Sequence, residues 1–148
     1  MSDARLELAE AFLREAVYRS RERQAASVAL ALRRPGGGTC GLGEKAAVEL
    51  DLSPRGVELA NALWPAGLDG ASLERVRAVM SAWVVRQDAL DRERNHHLKA
   101  MRLKHGFDRD AYPPDVRREF DAGLERVNAT ESLERRAAAR ELLGAAPG

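Results

Sequence analysis

Apolar residues recur at three- and four-residue steps over most of the chain, the spacing of one face of an α-helix. Leu6, Ala9, Leu13, Ala16 and Val17, with Phe12 alongside, predict a first helix from about Asp3 to Leu32. Residues Tyr18 to Gln24 are almost wholly polar, so that helix crosses solvent or breaks there, and Val28 to Leu32 also reads as a short strand. Five glycines and a proline between Pro35 and Gly43 predict a flexible linker. A short helix is expected over Glu44 to Leu50. Ser53-Pro54 reads as an N-cap followed by proline at the first helical position, opening a second short helix to about Leu63, which Pro65 and Gly67 end.

The longest pattern runs from Leu73 to His105. Leu73, Val76, Met80, Trp83, Leu90 and Met101 form its seam, and Gln87, Arg94 and His97 occupy the same stripe. Gly106 is placed to cap it, and Pro114 opens a last helix with Val116, Phe120, Leu124 and Val127 inward. Beyond Asn128 the stripe thins, and Gly144 to Gly148 is expected to fray. The fold class is therefore all-α: an N-terminal helix, a short helix-turn-helix and a long C-terminal antiparallel helical hairpin. The expected organisation is an N-terminal helical segment over 1–34, a linker over 35–43 and a helical domain over 44–148.

Composition narrows the function classes. The 148 residues fit one domain and carry 24 Lys+Arg against 23 Asp+Glu, for a net charge of +1. That balance argues against a polycation built for nucleic acid or anionic membrane. With 45% apolar and 5% aromatic residues the core must be aliphatic, and no apolar run reaches the length of a membrane span. The polar N-terminus shows no secretory pattern, and the single cysteine, Cys40, suits a reducing compartment. A cytoplasmic location is the expectation, with no membrane partner.

Candidate chemistry is sparse. Gly36-Gly37-Gly38-Thr39-Cys40-Gly41 satisfies the spacing of the dinucleotide fingerprint, but that motif works between a parallel strand and a helix, and no partner strands are predicted. Gly43-Glu44-Lys45-Ala46 also departs from the Lys-Ser/Thr ending of a phosphate-binding loop. Cys40 has no histidine within 50 residues to act as its base. His97 and His105 share a helix face two turns apart, too far for one metal ion, and His96 diverges from both. No cofactor, metal or catalytic residue is assigned. Residues Asp91 to His105 hold five Lys/Arg against two acidic residues, a modest basic excess.

Two local patterns resemble known families. Ala47-Val48-Glu49-Leu50-Asp51-Leu52-Ser53-Pro54-Arg55-Gly56-Val57 is similar to the helix-turn-helix of LuxR-type and sigma-factor-like DNA readers, with Ala47, Asp51 and Val57 at that family's spacing. The resemblance implies a turn at Asp51, a second helix facing DNA, and Ser53, Arg55 and Asn61 as the residues to read it. Asp51 stands where that family has glycine, and residues 1–60 balance nine basic against nine acidic groups. Joined to a multimerising hairpin, this gives the general layout of small terminase subunits of phages. The C-terminal half resembles helical chorismate mutases in Arg77, Arg94, Lys104 and Asp115-Val116-Arg117-Arg118-Glu119. That resemblance implies an enzyme in which such groups bind carboxylates.

The seam of the long helix carries the main functional expectation. An apolar ridge of that length outruns the short helices beside it, and so should be covered by another chain. Val76, Met80, Trp83, Gln87, Leu90, Arg94, His97 and Met101 are the expected protein interface, in a non-enzymatic assembly protein that binds copies of itself or a partner helix. A helix-turn-helix DNA-binding oligomer is the alternative, and a mutase-like enzyme the second alternative.

Overall fold

The computed structural model describes residues 3–21 and 50–146. Over them the chain forms α1 (Asp3–Arg21), α2 (Pro54–Leu63), α3 (Gly70–His105), a 3-10 turn (Arg109–Ala111) and α4 (Pro114–Ala145), with no strand among the described residues. The all-α expectation holds. The 35–43 linker with Cys40, the Val28–Leu32 stretch and the helix expected from Glu44 lie outside the described residues.

Local chemistry sets the helix ends. Ser53 caps α2, its Oγ accepting the Gly56 N–H at 3.0 Å, with Pro54 in the first turn. Asp69 does the same for α3, accepting the Ser72 N–H at 2.7 Å, so α3 starts at Gly70, ahead of its first apolar residue. Hydrogen bonding to Ser72 also holds the Asp69 carboxyl below its usual pKa. At the other end Gly106 takes φ 91° and donates its N–H to the Arg102 carbonyl at 2.8 Å, the glycine stop expected there.

The packing resolves into two compact units, residues 1–84 with 135–148, and residues 85–134. In the first, α1 buries Leu6, Ala9, Phe12, Leu13 and Ala16, and α2 buries Val57, Leu59, Ala60 and Leu63. Phe12 meets Trp64 edge-on at 5.4 Å, and the Arg5 guanidinium donates to the Leu63 carbonyl at the end of α2. Val76, Met80 and Trp83 of α3 and Ala139, Leu142 and Leu143 of α4 are buried in the same unit.

Over residues 144–146 the structure corrects the expectation of a frayed end, and residues 147–148 lie outside the described residues. The helix continues to Ala145, Leu142 is fully buried and Ala146 is 2% exposed. Two long-range bonds hold it there: the Trp64 indole N–H donates to the Ala146 carbonyl, and Arg75 donates to the Ala145 carbonyl at 2.8 Å.

The second unit is the hairpin of α3 and α4. Met101, Tyr112 and Phe120 form its closed core, with Leu98, Val116 and Leu124 against them. Tyr112 and Phe120 stack edge-on at 5.7 Å, and the Tyr112 hydroxyl donates to the Gly106 carbonyl. Three further bonds pin the connecting loop: two in a bidentate Arg109–Asp121 pair, and one from the Arg117 guanidinium to the Asp110 carbonyl at 2.8 Å.

Candidate functional site

The seam is filled from within the chain. Val76 and Leu90 are fully buried, and Met80, Trp83, Gln87 and Met101 are each below 9% exposed. The expectation that the ridge outruns the helices beside it is corrected: α4 is thirty-two residues long, and in the hairpin unit it bonds to the seam at Gln87, Arg94 and His97. The apolar seam residues are thus covered without a second chain, while Arg94 and His97 of the expected interface stay half-buried.

The polar seam positions form one connected layer in the hairpin. Gln87 Nε2 donates to Glu131 at 2.8 Å and to Asp91 at 3.2 Å. Arg94 donates from Nη1 to Asp91 at 2.7 Å, from Nη2 to Glu131 at 2.6 Å, and from Nε and Nη2 to Asn128 Oδ1. Hydrogen bonding to Glu131 raises the Arg94 pKa further above its already high value, against the opposing effect of burial. All three guanidinium nitrogens are thus engaged by the chain's own acceptors. One turn along, Arg86 forms a fork with Glu134. Half-buried His97 presents Nε2 to the Phe120 carbonyl at 2.9 Å, and since a carbonyl only accepts, that nitrogen carries the proton.

The arrangement gives register. A charged layer with complementary partners at one level penalises any sliding that would separate them. It commits four of the five Arg94 N–H groups, leaving one for the substrate carboxylate that the mutase resemblance requires Arg94 to bind. Arg77 pairs with Glu74, and Arg117 is bound to the Asp110 carbonyl.

The DNA-reading candidates are placed as follows. Asp51 adopts φ 56°, the left-handed turn that the helix-turn-helix resemblance implies. Ser53, however, is buried, spends its hydroxyl on the α2 cap and donates to Glu15 at 3.1 Å. Arg55 is exposed and paired with Glu58 at 3.2 Å. Asn61 is half-buried and is itself engaged in an interaction. The surface of α2 therefore offers one cation beside one anion, a poor match to a phosphate backbone. Ala47 and the first helix of that pattern lie outside the described residues.

No group of three or more His, Cys, Asp or Glu side chains suited to a metal ion occurs among the described residues. No described helix is long and apolar enough to cross a membrane.

What the sequence reading missed is the set of large apolar side chains left outside: Val85, Leu103, Phe107 and Leu133, at 69%, 75%, 82% and 73% exposure. All four belong to the hairpin unit. A signal existed, since Val85 and Leu103 stand on the side of α3 opposite its own seam. Phe107 directly follows the glycine stop, where an apolar residue commonly folds back on its helix; here it faces solvent. No family model, curated protein or solved structure matches this chain.

Proposed function

We propose that the chain is a non-enzymatic helical interaction protein, an accessory subunit or assembly adaptor that self-associates and binds partner helices through its hairpin. The observation that carries this reading is the display of Val85, Leu103, Phe107 and Leu133 on one compact unit. Scattered single apolar residues are ordinary on protein surfaces, but these are four large apolar side chains on a hairpin whose connecting loop is fixed by Tyr112, Arg109 and Arg117. A rigid mount lowers the entropy lost when such a side chain is captured. The polar cluster around Arg94 bonds α3 to α4 within the hairpin, which favours a scaffold over a catalyst.

The test is light scattering of the full chain across a concentration series. A mass above 16.2 kDa supports the reading, and a strict 16.2 kDa monomer removes its self-associating part. The left-handed turn at Asp51 favours a second reading, DNA binding by α2. That reading requires a mobility shift with duplex DNA that weakens with salt and with Arg55→Ala; absence of any shift at low salt eliminates it.

A further inference from the structure

The outward side of α3 carries a pattern that matches itself in reverse. Val85 and Leu103 are eighteen residues apart, which is about five full turns, so they stand on one line of the helix. Ala89, Arg92, His96 and Lys99 lie along that line or just beside it, and Arg92, His96 and Lys99 are exposed. The midpoint between the two apolar ends is residue 94, and Arg92 and His96 are equally spaced about it. On one edge stands Asp88, paired within the helix to Arg92 at 3.3 Å. On the same edge are Lys99 and Arg102, which make no ion pair among the described residues.

We propose that this line is an isologous interface with a second copy of the chain, the two α3 helices running antiparallel about residue 94. The proposal rests on the self-association reading above and specifies its surface. Reversal about the midpoint sets Val85 of each copy opposite Leu103 of the other, so both exposed apolar ends are covered in one step. It also sets Asp88, with one carboxylate oxygen already on Arg92, between Lys99 and Arg102 of the second copy. The two cations, unpaired among the described residues, thus meet the acidic group of that edge, and two-fold symmetry makes the contact twice. In a parallel pairing each residue stays at its own level, which leaves Asp88 about 16 Å along the axis from Lys99 and about 21 Å from Arg102.

The experiment uses full-length single-cysteine chains in a Cys40→Ser background. Val85→Cys and Leu103→Cys chains are mixed and mildly oxidised, with Phe107→Cys and Leu133→Cys chains as the other probes. The expected result is a mixed 85–103 disulfide dimer in preference to 85–85, 107–107 or 133–133 pairs. In parallel, Leu103→Glu should raise the dimer dissociation constant about tenfold or more. Asp88→Lys should weaken the dimer, and adding Lys99→Glu with Arg102→Glu in the same chain should restore it. A dimer that cross-links through residue 107 or 133 and ignores the charge reversal overturns this pairing while leaving self-association intact. A 16.2 kDa monomer at every concentration overturns both.

Discussion

The imidazole of His97 lies directly on the backbone of α4 at Gly123: a Cβ built at position 123 falls 2.1 Å from His97 Nε2. Glycine there is a space requirement set by a neighbour, since α4 is regular on both sides. The same closeness lets His97 reach the Phe120 carbonyl.

Gly123→Ala should therefore destabilise the chain by about 1–3 kcal/mol, because the ring must leave its site and lose its bond. The measurement is urea unfolding of Gly123→Ala, His97→Ala and the double variant. If the contact is the cause, His97→Ala costs much less in the Gly123→Ala background than alone. Strict additivity of the two losses would show that position 123 matters for another reason.

Arg94→Leu should cost more than Arg94→Leu combined with Glu131→Leu. The single change takes the Arg94 cation away from Glu131 and Asp91, to which Gln87 still donates, whereas the double change removes a charge from each helix. The expected single loss is about 1–3 kcal/mol, below that of a fully buried pair because Arg94 keeps some solvent contact. Thermal unfolding of both variants decides it, and equal losses would mean that the layer acts only through packing.

Asp121 has a folded-state pKa below its ordinary 3.8, first because Arg109 donates to it and then through the charges of Arg109 and Arg117. A depressed carboxylate adds stability above its unfolded pKa and loses it as pH falls through the folded value. Asp121→Asn should accordingly lower the unfolding midpoint at pH 7, and the gap to the parent should close as pH falls below about 4. A gap that persists unchanged at low pH would assign the loss to shape instead of charge.

Most of the architecture was readable because helix faces and caps are local: Ser53-Pro54, Asp69, Gly106 and Pro114 mark their boundaries within a turn. The seam of α3 was also readable, but what covers it was not. Leu133, Ala137 and Leu142 among many charges gave α4 a weak stripe past Asn128, so its full length and its burial of Leu142 were hidden. Likewise Gln87, Arg94 and Glu131 become one layer only when two helices forty residues apart are set in register. Whether Ser53 faces solvent or Glu15 depends on a contact thirty-eight residues away, which no local pattern encodes.

Trp64→Phe keeps most of the packing against Phe12 and removes the donor to Ala146. The loss should be about 0.5–1.5 kcal/mol. Hydrogen exchange should speed up chiefly over Leu142–Ala146, and protection unchanged in that turn would contradict the role given to the indole.

The Trp64–Ala146 bond also constrains the order in which the polypeptide matures during synthesis. The hairpin unit is one uninterrupted stretch and can condense while later codons are still being read. The other unit is split around it, and α1, α2 and the start of α3 wait with greasy flanks uncovered until the last turn of α4 leaves the ribosome. Premature termination after residue 134 would thus release a product with an intact hairpin and a collapsed remainder, a ready target for quality-control proteases.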